Sequence, residues 1–188
     1  AQVKKMNIKI VFSIFLILLF NTGDCISKKA IELEEYRVQC TEKEEPSNNE
    51  LDPVLIKTCT YKNFQSVRTG SADYKGRYSY KYDLYKIDDN VKQKVKNSDL
   101  FKSGADKVEK KINQDLRQEY QKNLNNPHLK DCMEWIDFRH YELDEIGMAF
   151  TDSNEIEFYI NYEIGGACFN VAHSVLQYKL SDFAQYLE

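Results

Sequence analysis

The chain has 188 residues, with 26 basic against 30 acidic side chains and a formal net charge of −4. That balance makes the chain a poor candidate for nucleic-acid binding, which relies on a positive field to meet phosphates. Charged residues make up 30% of the sequence, while there are only 3 prolines and 7 glycines, a composition that argues for a folded domain and against disorder.

Ala1 to Lys5 stand ahead of a natural start at Met6 and are set aside from the fold. Lys4, Lys5 and Lys9 give a positive opening, the apolar run Ile10 to Phe20 follows, and Asn21-Thr22-Gly23-Asp24-Cys25 closes the segment. This is the anatomy of a secretory signal peptide. The run is well short of the roughly 20 apolar residues that cross a bilayer core, so residues 1–25 read as a leader and the protein as exported: periplasmic, cell-surface or secreted. Processing near Cys25 leaves 163 residues with 23 basic and 29 acidic side chains, a balance of −6. That length suits one domain.

Cys25 has two open fates. Thr22-Gly23 before it fits a lipoprotein signal, in which the cysteine is acylated and becomes the anchor, but Asp24 departs from that pattern. Cleavage after Cys25 by an ordinary signal peptidase, with Gly23 and Cys25 as the small residues, is the alternative. The remaining cysteines are Cys40, Cys59, Cys132 and Cys168. An even set in an oxidising compartment points to two disulfides, with three connectivities open. Cys40–Cys59 and Cys132–Cys168 are preferred, because each pair ties together one end of the chain. No CxxC or HxxxH spacing joins these cysteines to His128, His140 or His173, so neither a metal nor a cofactor is expected.

In chain order, residues 26–53 read as a short charged segment followed by the polar loop Thr41 to Pro53, and 54–188 as a single domain. Val54 to Val67 reads as extended chain, with a turn from Gly70 through Asp73-Tyr74-Lys75-Gly76. Tyr78, Tyr80, Tyr82 and Leu84 then alternate with Arg77, Ser79, Lys81 and Asp83, which predicts a strand paired with the first run and ended by Asp88-Asp89-Asn90. From Ser103 the period becomes helical. Val108, Ile112, Leu116, Tyr120 and Leu124 form one apolar stripe, and Asn125-Asn126-Pro127 stops it. Cys132 to Leu143 is predicted as a strand, as is Gly147 to Thr151 ahead of the turn Asp152-Ser153-Asn154. Ile156, Phe158, Ile160, Tyr162 and Ile164 alternate with Glu155, Glu157, Tyr159, Asn161 and Glu163 in the clearest strand of all. Gly165-Gly166 turns the chain, Phe169 to Tyr178 returns as a strand, and Ser181 caps a short last helix, Asp182 to Leu187. The fold class is α+β: an antiparallel sheet with one long helix packed on one face and a short C-terminal helix.

There is no GxSxG elbow, P-loop, HExxH or dinucleotide-binding turn, so the protein is read as no enzyme. Cys168 and His173 as a nucleophile and base are outweighed by a disulfide at Cys168. Glu142, Asp144, Glu145, Glu155 and Glu157 read as solvated charges ahead of a glycosidase pair. Of the 13 tyrosines, Tyr74, Tyr78, Tyr80, Tyr82 and Tyr85 cluster in one short segment. Tyrosine rows make adhesive surfaces, but Tyr78, Tyr80 and Tyr82 are expected to face the long helix as core. Tyr85 and Tyr159, on the opposite faces of their strands, are then the better contacts. With Tyr162 and Glu163 they are the candidate binding residues.

The stretch Glu155 to Ile164, its small-residue turn, Val171-Ala172-His173-Ser174-Val175 and the closing Leu180 to Leu187 resemble a family of extracytoplasmic domains. Its members include the C-terminal domain of bacterial lysozyme-sensing anti-sigma factors (RsiV-like proteins). There a strand ending in aromatic-x-x-Tyr-Glu-Ile leads through a Gly/Ala-rich turn to a strand and a short helix. Lys111-Ile112-Asn113 is similar to the helix that precedes this unit, and the resemblance covers roughly residues 75–188. Gly165-Gly166-Ala167-Cys168 and Ala172-His173 depart from the family's Tyr-Ala pair and proline. Only five residues precede Met6, so no sigma-binding segment is expected. The resemblance implies an isolated sensor-like binding domain that recognises a protein, lysozyme-like among the options, or a cell-wall glycan. Its membrane contact would come only through a lipid on Cys25. The alternatives are an envelope glycan hydrolase or accessory domain, and a structural lipoprotein.

Overall fold

Tight turns organise the first half of the domain. The computed structural model describes residues 35–46, 53–72 and 78–188; the expected leader, Cys25, residues 26–34 and the expected turn at 73–76 lie outside the described residues. The fold is that of the unit Val38–Glu188. Five strands form one antiparallel sheet in sequential order: β1 (Gln39–Glu45), β2 (Val54–Tyr61), β3 (Phe64–Ala72), β4 (Tyr78–Asp88) and β5 (Val91–Val95). The expected run Val54 to Val67 is thus a hairpin in its own right, bent at Lys62-Asn63 with Lys62 at φ 51°. Asp89 and Asn90 at φ 49° and 65° make the β4–β5 turn, a geometry that matches the right-handed twist of the flanking strands. Part of the polar loop expected from Thr41 is strand β1. The Cys40–Cys59 disulfide therefore joins directly opposed residues of β1 and β2, with 4.1 Å between their Cα atoms.

A 3-10 segment, Asn97–Gly104, leads into helix α1 (Ala105–Leu124). Its stripe is buried at Val108, Ile112 and Leu116, each at most 1% exposed. Burying aliphatic side chains of this size contributes about 1.5–3 kcal/mol each. The segment expected as a strand from Cys132 instead forms a single helical turn, α2 (Lys130–Met133), and then irregular chain to a 3-10 turn at Leu143–Glu145. Its apolar residues do not share one face: Met133 and Ile136 are buried, whereas Trp135 is 76% exposed.

The second sheet is a three-stranded meander: β6 (Gly147–Phe150), β7 (Glu155–Asn161) and β8 (His173–Lys179). Ile156, Phe158 and Ile160 of β7 are buried, as the alternation predicts. After Gly166, at φ 65°, residues Gly166–Val171 form a 3-10 turn, so the returning strand starts four residues later than expected. The chain ends in a 3-10 turn, Leu180–Phe183, that is held by Asp182, whose carboxylate accepts the Lys179 N–H at 3.2 Å. The expected Ser181-capped α-helix is not formed.

The fold is α+β, with its strands divided between two sheets. Helix α1 lies against β8, where the Tyr178 hydroxyl donates to Asp115 at 2.6 Å and Lys111 sits over the Tyr178 ring. The first sheet meets the second through β6, which contacts β2, β3 and β4. Phe101, Phe158 and Phe183, all within 6.4 Å of one another by ring centroid, fill the centre of the core. The Cys132–Cys168 disulfide ties α2 to the turn before β8. No described helix is long and apolar enough to cross a membrane.

Candidate functional site

Tyr80 and Tyr82 stand on β4, on the face that meets the second sheet instead of the long helix. Tyr82 stacks on Tyr159 of β7 at 5.3 Å with 26° between planes, and His173 of β8 stacks on Tyr159 at 5.4 Å. Tyr80 meets Tyr159 edge-on at 6.1 Å and is 39% exposed. Gly147 permits this arrangement: a Cβ there would lie 2.5 Å from Tyr82 Cδ2. Tyr80 and Tyr82, expected to face α1 as core, thus build a ring ladder between the sheets.

Beneath the ladder lies Glu157, 6% exposed, whose carboxylate accepts from Arg68 Nη1, Tyr82 Oη and Gln177 Nε2, each at 3.2 Å. Burial and then the Glu157 charge push the Tyr82 hydroxyl far above its usual range, so it stays protonated and donates. Burial opposes the Arg68 charge, but Glu157 outweighs it and raises the Arg68 pKa above its ordinary value.

The ladder forms one wall of a cleft of about 320 Å³, completed by Arg139, Tyr141, Asp144, Glu145, Asn161 and Glu163. This volume is at the lower end for small-ligand sites. The irregular segment 139–146 is positioned from the helical side. Asn113 donates to the Tyr141 carbonyl at 2.8 Å and accepts its N–H at 2.9 Å. Glu109 accepts the Leu143 N–H at 2.8 Å, and Asn97 donates to the carbonyls of Leu143 and Ile146. Asp144 accepts the Ser98 N–H and hydroxyl and lies 3.6 Å from Lys96, while Glu145 pairs with Arg139 at 2.9 Å. Glu163 takes a left-handed conformation, φ 57°, and its N–H donates to Asn161 Oδ1 at 2.9 Å. Non-glycine residues held at positive φ cost energy and cluster at functional sites.

Of the candidate binding residues, Tyr159 and Glu163 line the cleft. Tyr162 is an interior residue, 9% exposed, its hydroxyl paired with Ser174 Oγ at 2.7 Å, and burial pushes its pKa up to about 12. Tyr85 lies on the far face of the first sheet, with Lys92 Nζ 4.0 Å from its ring centroid. Tyr80 and Tyr82, expected on the helix face, also line the cleft, as do Tyr141, Arg139 and Asn161, for which the sequence carries no signal. Both expected disulfides are formed, so Cys168 carries no thiol for a pairing with His173, and the sulfurs weighed for zinc are bonded to one another. Among the carboxylates weighed for a glycosidase, Asp144, Glu145 and Glu157 already hold partners. Glu142 lies outside the cleft lining, and Glu155 opens β7 away from it.

No protein-family model, curated protein or solved structure matches the chain.

Proposed function

We propose that this protein is an exported, non-enzymatic binding domain that recognises a protein or a cell-wall glycan through the cleft between its two sheets. The observation that carries the reading is the convergence on one cleft of Tyr80, Tyr82, Tyr141 and Tyr159 with polar side chains from two chain segments, 139–145 and 161–163. Convergent polar groups in a formed concavity are the usual mark of a ligand site. Engagement of Asp144, Glu145 and Glu157 by neighbours favours binding over glycoside hydrolysis, which needs two carboxylates free to face a scissile bond. Export is supported by the leader-like residues 6–25 and by the two disulfides. The resemblance to the extracytoplasmic domain of lysozyme-sensing anti-sigma factors favours the same reading.

Titrating the purified, oxidised protein against lysozyme and against solubilised peptidoglycan tests it. Saturable binding without turnover is expected. Release of reducing sugar or peptide would overturn the non-enzymatic reading.

A further inference from the structure

The ring faces around the cleft are largely taken by the protein itself. Tyr159 is covered on its two sides by Tyr82 and His173, at 5.3 Å and 5.4 Å and nearly parallel to both. Arg68 sits over the Tyr80 ring at 5.3 Å, and Arg139 over the Tyr141 ring at 4.8 Å. A ligand cation seeking a π-face meets guanidinium groups already in place. A ligand ring seeking to stack meets Tyr82 or His173 where Tyr159 would receive it.

The carboxylates narrow the charge of the ligand further. Asp144, Glu145 and Glu163 against the single Arg139 make the cleft unfavourable for an anion. Asp144 already holds Ser98 and Lys96, and Glu145 already holds Arg139, which leaves Glu163 as the carboxylate without a hydrogen bond to a described residue. One exposed carboxylate attracts a cation weakly in water.

What the cleft leaves open to a ligand is hydrogen-bonding capacity. The hydroxyls of Tyr141 and Tyr159, Asn161 Nδ2 and the Glu163 carboxylate make no hydrogen bond to any described residue, and all four residues line the same cleft. Two hydroxyls, an amide donor and an acceptor-only carboxylate suit a ligand that alternates donors and acceptors without net charge.

We infer that the cleft binds a short stretch of a neutral, hydroxyl-rich glycan, held by hydrogen bonds at the tyrosine edges and not by stacking or ion pairing. This rests on the cleft being the binding site, and names the ligand class it takes.

The test is calorimetric titration paired with amide chemical-shift mapping of the oxidised protein. Its neutral probes are N-acetylchitotetraose and cellotetraose; the comparison probes are cationic de-N-acetylated chitotetraose and lysozyme. A neutral tetramer is expected to shift the amides of Tyr80, Gly147 and Asn161. Tyr159→Phe keeps the ring stack and removes one hydrogen bond, so its Kd should rise about five- to tenfold. Tyr186→Phe, outside the cleft, should leave it unchanged. If the cationic tetramer or lysozyme moves those amides and the neutral tetramers do not, the ligand class is overturned while the cleft stands as a binding site. Neutral binding that Tyr159→Phe does not weaken would overturn the hydrogen bonds at the tyrosine edges as what holds the glycan. Ligand shifts confined to other surfaces, or none from any probe, would overturn the cleft as well.

Discussion

Replacing Glu157 by alanine should destabilise the domain through the partners it leaves behind. The side chain is 9% exposed, and its carboxylate accepts three bonds, each at 3.2 Å, near the long end of the hydrogen-bond range. Hydrogen bonds to charged groups contribute about 1.5–3 kcal/mol, and stripping one partner from a fully buried pair costs about 3–5 kcal/mol. Arg68 is 32% exposed, so water recovers part of its solvation and the lower figures apply. We expect a loss of about 2–3 kcal/mol. In a domain of this size that lowers Tm by about 5–10 °C. Denaturant unfolding of the oxidised protein, followed by circular dichroism, measures it. The double-mutant cycle of Glu157→Ala with Arg68→Leu isolates the pair and should return a coupling of about 1 kcal/mol or more. A single variant within about 0.5 kcal/mol of the parent, or a cycle that closes to zero, would refute the view that this buried pair pins the sheets together.

Three further outcomes follow from the geometry. Gly147→Ala places a Cβ 2.5 Å from Tyr82 Cδ2, so it should cost about 1–3 kcal/mol and displace the ring ladder; unfolding curves and the Tyr82 side-chain NMR signals report both effects. Paired Cys→Ser replacements should rank by loop length. Cys132–Cys168 spans 36 residues and should cost about 4 kcal/mol, while Cys40–Cys59 spans 19 and should cost about 3 kcal/mol, and equal or reversed losses in denaturant would count against this order. Finally, Tyr162 has its pKa raised to about 12, and burial raises those of Tyr82 and Tyr178 as well. A raised acid stabilises the fold fully below the unfolded tyrosine value, near pH 10, and this contribution fades as pH climbs through the folded value. Stability measured from pH 9 upward should fall between about pH 10 and 12, less steeply in Tyr162→Phe; a flat profile would exclude the coupling.

What the sequence revealed depended on how strongly each local pattern was written. The α1 stripe at Val108, Ile112 and Leu116 and the alternation of Ile156, Phe158 and Ile160 were legible because one face of each element is fully buried. Strands β1 and β5 were not, because as edge strands they carry mostly exposed polar residues, the Glu-Lys-Glu-Glu and Lys-Gln-Lys runs. The β2–β3 turn was hidden because Lys62, with no glycine beside it, adopts the positive φ. Residues 134–142 mix buried Ile136 with exposed Trp135, and no period describes chain that is pinned by Asn113 and Glu109 of another element. The cleft was half visible. Tyr159 and Glu163 were reachable from strand alternation, but Tyr80 and Tyr82 require knowing that the strands divide into two sheets. One face of β4 looks the same in sequence whether a helix or a second sheet covers it.

The two disulfides have a mechanical consequence. Cys40–Cys59 lies wholly within the first sheet, and Cys132–Cys168 wholly on the side of the second. Neither crosses the joint that Arg68–Glu157, Lys57–Asp152, the Tyr82–Tyr159 stack, the Tyr82–Glu157 and Ser66–Phe150 hydrogen bonds and the packing of β6 hold without a covalent link. Oxidation therefore stiffens each half separately and leaves the joint between them compliant. Under load, or on thermal fluctuation, the halves should part along that joint before either unravels.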